Sequence, residues 1–159
     1  MKRMLIAIAL ALAIPNAARA ESLTPADCAE RLPLAAGAVS RLAPAYDISP
    51  SVIWAIVVLE SGCNHLVEGR YGEVGLGQII PSDQTRYPAW WFAHRPTRRE
   101  LLDPVINVNT IVYELARNAR RFCGGQLDCA IAVYRGGTRP SPAAWRYADR
   151  VLAQAGGAK

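Results

Sequence analysis

One segment constrains the fold of this chain more than any other. Ser49-Pro50 leads into an apolar run at residues 52–59, which ends in Glu60-Ser61-Gly62. The β-branched side chains of the run would suit a strand, but the serine-proline opening and the length of the run favour a helix. A helix that is apolar on all sides has to be buried on all sides. The sequence therefore predicts a domain packed around one central helix.

A cap residue followed by proline is the natural start of a helix. Further examples are Thr24-Pro25, Asp103-Pro104 and Ser141-Pro142. The segment after Pro104 repeats apolar residues in steps of three and four as far as Phe122, which is typical of a helix with one buried face. A short helix is expected over residues 128–134, and the last helix is expected to pack through Trp145, Ala148, Val151 and Leu152. These patterns indicate a mainly α fold.

A long irregular stretch separates the central helix from Asp103. It has glycines at positions 69, 72, 75 and 77. Such a long connection in a small domain is usually functional or contains short elements of its own. We expect a small β-hairpin between Gly69 and Gly77.

The N-terminus carries the parts of a secretory signal peptide. Met1-Lys2-Arg3 is positive, an apolar run follows, and Ala18-Arg19-Ala20 supplies a small-residue cleavage motif. A membrane anchor is the alternative, but a spanning helix needs about 20 apolar residues and Pro15 ends the run before that. No later segment is long and uncharged enough to span a bilayer. We expect residues 1–20 to be removed and residues 21–159 to be exported to a bacterial periplasm as one domain.

The net charge of the chain changes with this cleavage. The 159 residues include 18 basic and 13 acidic side chains, a formal net charge of +5. Without Lys2, Arg3 and Arg19, 15 basic residues face the same 13 acidic ones and the net charge falls to +2. Nucleic-acid binding needs a concentrated positive surface. The mature composition therefore argues against a nucleic-acid partner.

Four cysteines, at positions 28, 63, 123 and 129, remain in the mature chain. An even number in an oxidising compartment predicts two disulfides, and four cysteines allow three connectivities. We favour Cys123–Cys129, which closes a short loop through Gly124-Gly125, together with Cys28–Cys63. Zinc sites use CxxC-type spacing, which these cysteines lack, so we expect no metal.

Glu60 is the residue whose position has the clearest chemical consequence. A carboxyl group beside apolar side chains is desolvated, so its pKa rises. Such a group can stay protonated near neutral pH and act as a general acid. A glutamate in the last turn of a helix can instead simply reach water, and position alone favours that simpler interpretation.

Five segments, in order along the chain, resemble motifs of the lytic transglycosylases that have a lysozyme-like domain. They are the helix ending in Glu60-Ser61, Gly75-Leu-Gly-Gln-Ile79, Leu102-Asp-Pro-Val-Ile-Asn-Val108, Ala132-Val-Tyr-Arg-Gly-Gly137 and Tyr147-Ala-Asp-Arg-Val151. Each motif is weak alone, but five in the right order behind a signal peptide are a strong signal. The resemblance implies a mainly α, lysozyme-like single domain.

The resemblance also implies an activity, cleavage of the β-1,4 bond between N-acetylmuramic acid and N-acetylglucosamine in peptidoglycan. Glu60 would protonate the glycosidic oxygen and then act as base towards the 6-hydroxyl of the muramic acid, which closes a 1,6-anhydro ring. Ser61, Gly75, Gln78 and Tyr134 would contact or position the substrate. The partner is a glycan strand, and no cofactor is implied.

One carboxylate suffices for this reaction, because the attacking hydroxyl belongs to the substrate and no water has to be activated. A hydrolytic glycosidase usually needs two carboxylates. Glu68, Glu73 and Asp83 are candidates for the second one. A lysozyme-type muramidase is therefore the alternative enzyme.

Two motif positions depart from the family pattern, and the chain also lacks the acidic residue that some members carry just before the tyrosine of the last helix. Gly77 stands where methionine is usual, and Arg135 stands where asparagine is usual. We interpret the chain as a small specialised member that opens the wall for a secretion or conjugation apparatus, whose components would be further partners. The same departures motivate a hypothesis of another class, a non-catalytic wall-binding assembly protein.

Overall fold

Helices account for most of residues 23–81 and 96–156, the ranges that the computed structural model of the chain describes. Within them the helices are α1 (Pro25–Arg31), α2 (Pro33–Leu42), α3 (Pro50–Ser61), α4 (Arg98–Leu101), α5 (Pro104–Phe122), α6 (Leu127–Gly136) and α7 (Pro142–Gly156). A short 3-10 helix at Pro44–Tyr46 lies between α2 and α3. The mainly α prediction is confirmed. The leader expected at residues 1–20 and the candidate carboxylate Asp83 lie outside the described residues.

The predicted helix starts are confirmed, and side chains cap several of them. Thr24 and Asp27 form a reciprocal capping box at α1. The Asp103 carboxylate accepts hydrogen bonds from two N–H groups in the first turn of α5, at 2.7 and 3.2 Å. These side chains satisfy donors that have no partner inside the helix. At the other end of α3, Gly62 has a φ of 56°, a left-handed conformation that stops the helix directly after Glu60-Ser61.

The apolar run forms the central helix, as predicted. The residues of α3 from Val52 to Val57 are all buried. α3 packs against α1, α2, α5 and α7, and α6 packs against both α5 and α7. Fully burying an aliphatic side chain contributes about 1.5–3 kcal/mol, so the packing around α3 fixes its last turn in place. That turn carries Glu60.

Both favoured disulfides are formed. Cys28–Cys63 ties α1 to the second residue after the end of α3, and Cys123–Cys129 closes the connection between α5 and α6. The Cα atoms are 5.6 Å apart in each pair. Disulfides persist in oxidising compartments, so they support an exported protein. Across residues 23–81 and 96–156, no helix combines the length and apolarity needed to cross a membrane.

The expected hairpin between Gly69 and Gly77 is reduced to two isolated antiparallel bridges, Glu68 with Val74 and Val74 with Ile79. The described residues contain no longer strand. Left-handed backbone explains the difference: φ is 72° at Gly75 and 49° at Gln78. Each such residue reverses the chain, so the loop coils on itself and a regular ladder cannot extend.

The buried face of α7 agrees with the prediction at Ala148 and Val151, whereas Leu152 is only partly buried and Trp145 lies outside the face. Ala144, Tyr147, Ala148 and Val151 are buried, whereas Trp145 is 40% exposed. Steps of three and four from Ala144 select Tyr147 and Ala148, and Trp145 lies off that stripe. Tyr147, rather than Trp145, therefore belongs to the buried face of α7, and its hydroxyl lies near Glu60 at the end of α3.

Candidate active site

Glu60 lies at the end of α3 with its side chain only 7% exposed. The buried turns before it hold the helix against α1 and α7. Burial raises the pKa of Glu60 above its ordinary value of 4.5, because desolvation disfavours the charged carboxylate. The negative charge of Glu73 raises it further, while Tyr147, Arg135 and Arg150 lower it in part. A carboxyl group with a raised pKa can serve as a proton donor.

Arg135, near the end of α6, pairs with Glu60. Its Nη1 lies 3.3 Å from Oε2 and 3.5 Å from Oε1 of the glutamate. The two side chains differ sharply in exposure, since 55% of the arginine but only 7% of the glutamate is accessible. The arginine is therefore largely accessible to solvent while it contacts a nearly buried carboxyl group.

Tyr147 of α7 completes the surroundings of Glu60. It begins the last of the five motifs, but the sequence assigned it no role in the site. Its hydroxyl is close enough to lower the pKa of the glutamate, yet among the described residues it has no hydrogen-bond partner of normal geometry. Burial and the charge of Glu60 raise the pKa of Tyr147 above its usual 10, so the hydroxyl stays neutral. The three- and four-residue spacing of α7 could have placed Tyr147 on the buried face of this helix.

The ring of Tyr147 also holds two cations. The guanidinium carbons of Arg135 and Arg150 lie 5.4 and 5.9 Å from the ring centre. A guanidinium within about 6 Å of an aromatic face is attracted to it electrostatically. The tyrosine thus links α6 and α7 around the carboxyl group.

Asn107 fixes the loop that contains Gly77. Its side chain is fully buried, and Oδ1 accepts a hydrogen bond from the N–H of Gly77 at 2.9 Å. Its Nδ2 donates to the carbonyl oxygens of Val74 and Leu101, at 3.0 and 2.8 Å. One side chain therefore satisfies three buried backbone groups, which explains the asparagine in the segment after Asp103-Pro104.

Gly77 is required by close packing. A Cβ atom at this position would lie 2.6 Å from Cγ1 of Ile111 and 2.7 Å from the hydroxyl oxygen of Tyr134. That hydroxyl donates a hydrogen bond of 2.6 Å to the carbonyl oxygen of Gly77. The departure from methionine thus has a local physical reason: Ile111 and Tyr134 fill the space that a side chain would need.

A cleft of about 690 Å³ runs past Glu60. Its lining includes Gln78 and Tyr134, which were predicted to contact substrate, together with Gly77 and Arg135. The cleft falls within the roughly 300–1,000 Å³ range of ligand sites. The structure thus brings Glu60, Gln78 and Tyr134 to one cleft.

The other two predicted contact residues are placed differently. Ser61 donates its hydroxyl to the carbonyl oxygen of Val57, one turn back in α3, at 3.0 Å. Gly75 is buried, and a Cβ there would lie 2.6 Å from the carbonyl oxygen of Leu101. Neither residue is part of the cleft lining. In this structure Ser61 finishes the helix and Gly75 shapes the loop.

The side chain of Gln78 is partly committed to its own loop. Its Nε2 donates to the carbonyl oxygens of Gly75 and Val67, at 3.1 and 3.3 Å. These bonds orient the amide against the loop while the residue remains part of the cleft lining. The sequence predicted its location but not these partners.

The two described candidates for a second carboxylate differ in their position relative to the cleft. Glu73 lines the cleft, and its Oε2 accepts a hydrogen bond of 2.9 Å from the N–H of Tyr71. Glu68 instead pairs with Arg98 and is not part of the lining. Of the two, Glu73 is the one that can act on a molecule bound beside Glu60. In the ranges 23–81 and 96–156, no group of three or more metal-binding side chains is close enough to hold an ion.

A family comparison agrees with this geometry. A profile of the transglycosylase SLT domain matches residues 38–154. That range includes all of α3 and every described residue of the cleft. No curated protein sequence matches significantly.

Solved structures of similar fold carry related descriptions. The 70 kDa soluble lytic transglycosylase of Escherichia coli is 25% identical, with a TM-score of 0.60 over 81% of this chain. A complex of the 70 kDa enzyme with bulgecin A is 25% identical with a TM-score of 0.61, also over 81%. An inactive mutant of the lytic transglycosylase Slt from Pseudomonas aeruginosa is 22% identical, with a TM-score of 0.61 over 81%. The chain spans about a quarter of the length of these proteins, 25%, 25% and 24% respectively.

Proposed function

The chain belongs to the transglycosylase SLT domain family, and from this membership we propose that it is a peptidoglycan lytic transglycosylase. The proposed reaction cleaves the β-1,4 bond between N-acetylmuramic acid and N-acetylglucosamine and leaves a 1,6-anhydro end. The single observation that carries the proposal is Glu60, a carboxyl group 7% exposed with a raised pKa, beside a cleft of about 690 Å³.

The proposed mechanism uses one proton and one carboxyl group. Protonated Glu60 donates its proton to the glycosidic oxygen while the bond from that oxygen to C1 of the muramic acid breaks. The resulting carboxylate accepts the proton of the 6-hydroxyl as O6 bonds to C1. Glu60 is then protonated again, and no water is consumed. Because the nucleophile is held within the substrate, proximity replaces the activation of a water molecule.

The surroundings of Glu60 suit both halves of this cycle. Burial keeps the carboxyl group protonated for the first step. Once the proton has left, the neutral hydroxyl of Tyr147 and the charge of Arg150 can stabilise the carboxylate, since both favour the charged form. We propose that Gln78 and Tyr134 position the glycan from the cleft wall, and that Ser61 and Gly75 act by shaping the backbone behind it.

The proposal is tested with purified peptidoglycan and the exported chain. Wild-type protein should release soluble muropeptides. Glu60→Gln should abolish release, because an amide cannot donate or accept the proton. Glu68→Gln is the matched control, since this carboxylate pairs with Arg98 outside the cleft lining and its loss should leave release intact. Unchanged release by Glu60→Gln would refute the assignment of the acid.

A muramidase is the second candidate, and Glu73 is the observation that favours it. This carboxylate lines the same cleft and raises the pKa of Glu60 through its charge. A second carboxylate of that kind could activate water from the cleft. In that case Glu73→Gln should remove activity as fully as Glu60→Gln, and the products should have reducing ends.

The proposed setting is the periplasm, after cleavage of the leader at residues 1–20, with action on the wall near a secretion or conjugation apparatus. The two disulfides support export to an oxidising compartment. The hypothesis of a non-catalytic assembly protein differs in its response to Glu60→Gln. Apparatus assembly would persist in a Glu60→Gln strain if the chain is only a scaffold, and would fail if wall cleavage is needed.

A further inference from the structure

The contact between Arg135 and Glu60 opposes the proposed reaction in two ways, by occupying the space beside the carboxyl group and by favouring its charged form. A general acid must come within about 2.6–3.2 Å of the atom that it protonates. Both carboxyl oxygens of Glu60 already lie within 3.5 Å of Nη1 of Arg135. The guanidinium also favours the deprotonated carboxylate, which is the wrong form for the first step.

The guanidinium is placed so that it can leave. Its side chain is 55% exposed, whereas the glutamate side chain that it contacts is 7% exposed. It lies over the ring of Tyr147 at 5.4 Å, which offers a surface along which a cation can move. Gly136 and Gly137, which follow it in the cleft lining, present no side chains that would block it.

We propose that Arg135 covers the Glu60 carboxyl group in the free protein and is displaced from it when a glycan occupies the cleft. Arg135 is then a positioning residue that partly opposes protonation of Glu60 until substrate arrives. This inference rests on the proposed function, since it assigns Glu60 the role of acid. It gives the departure from the family's asparagine a specific consequence.

Four charged or titratable groups affect the pKa of Glu60 and therefore the pH dependence of the proposed reaction. They are Arg135 from α6, Tyr147 and Arg150 from α7, and Glu73 from the loop. The pH dependence of kcat/KM reports groups of the free enzyme, whereas that of kcat reports groups of the enzyme-substrate complex. A contact made only in the free protein must therefore affect the first profile and not the second.

The test measures both profiles on soluble, uncrosslinked glycan strands for wild type and Arg135→Gln. Loss of the guanidinium should move the alkaline limb of kcat/KM to higher pH, because protonated Glu60 persists further. On that limb kcat/KM should rise about two- to fivefold, the range expected for an ion pair with one exposed partner. The alkaline limb of kcat should not move. Equal movement of both limbs, or no movement of either, would overturn the proposal.

Two further variants separate this contact from a general charge effect. Arg135→Lys keeps a cation beside Glu60 and should restore most of the wild-type profile. Arg150→Gln removes a cation over the same ring at 5.9 Å and should move the kcat/KM limb less than Arg135→Gln. An equal or larger effect of Arg150→Gln would contradict the specific role of Arg135. Thermal unfolding of each variant checks that the fold is intact.

A second measurement keeps this inference separate from the proposed function. The carbon-13 signal of the Glu60 carboxyl group can be titrated by NMR in the free protein, whether or not the chain is active. Arg135→Gln should move that titration to higher pH. If the titration moves and no anhydro products form, the proposed function fails alone. If products form and the titration does not move, the role of Arg135 fails alone.

Discussion

The side-chain oxygen of Asn107 accepts a hydrogen bond of 2.9 Å from the backbone N–H of Gly77, thirty residues earlier in the chain. The contact joins the first turns of α5 to the loop that forms one wall of the cleft. Two more hydrogen bonds from the same side chain reach Val74 and Leu101. The part of the cleft wall around Gly77 therefore depends on one buried amide.

Asn107→Ala should destabilise the protein by about 2–4 kcal/mol, because it leaves several buried backbone groups without their partner. Asn109→Ala is the matched control on the same helix, since the buried Oδ1 of Asn109 has no hydrogen-bond partner among the described residues. That control should change stability by less than about 1 kcal/mol. Denaturant unfolding with intact disulfides measures both, and equal losses would contradict the role of Asn107.

Gly77→Ala should cost about 1–3 kcal/mol of stability and most of the activity, because the new methyl group would overlap Ile111 and Tyr134. Gly156→Ala, where nothing lies within 4 Å, should be neutral or stabilising by up to about 1 kcal/mol. Combining Gly77→Ala with Ile111→Ala should cost less than the sum of the two single changes, by about 1 kcal/mol. Strict additivity in this cycle would show that the two positions do not compete for space.

The two disulfides should differ in their contribution to stability. Cys28–Cys63 spans 35 residues and Cys123–Cys129 spans 6. Under the chain-entropy account the longer loop contributes about 4 kcal/mol and the shorter about 2 kcal/mol. Replacing each pair with alanines and measuring unfolding under oxidising conditions should reproduce that order. The reverse order would show that local packing around Cys123 outweighs loop closure.

Glu60 should make stability depend on pH in a defined direction. Its pKa in the folded protein is raised above the ordinary 4.5, so between those two values the folded state binds more protons than the unfolded state. The stability contributed by protonated Glu60 is complete below pH 4.5 and is lost as pH rises through the raised pKa. Glu60→Gln should therefore gain stability relative to wild type on going from pH 4 to pH 7. Each kcal/mol gained should raise Tm by about 2–4 °C. A difference that is constant with pH would contradict the raised pKa.

Much of this arrangement could be predicted from the sequence because it is local. The Ser49-Pro50 start, the apolar run and Gly62 predict a buried helix with Glu60 at its end, and the structure has that helix. The favoured disulfides follow from cysteine count and spacing and are both formed. Periodicity and capping act within a few residues, so one sequence contains enough information for them.

The rest depends on how distant helices pack. Arg135 and Tyr147 reach Glu60 only because α6 and α7 meet at the end of α3, and no local pattern encodes that meeting. The sequence shows that Gly77 replaces the usual methionine, but it does not show that Ile111 and Tyr134 fill the space of a side chain there. The predicted hairpin does not form a regular ladder, because residues with left-handed backbone, such as Gln78, interrupt the strand pairing.

The products of wall digestion test the central claim most directly. Peptidoglycan digested by the wild-type protein in water enriched in heavy oxygen should yield muropeptides with 1,6-anhydro ends, each lighter than its hydrolysed counterpart by one water and free of the label. Mass spectrometry distinguishes these from reducing ends. Labelled reducing ends would contradict the account and identify a hydrolase, with Glu73 as the first residue to replace.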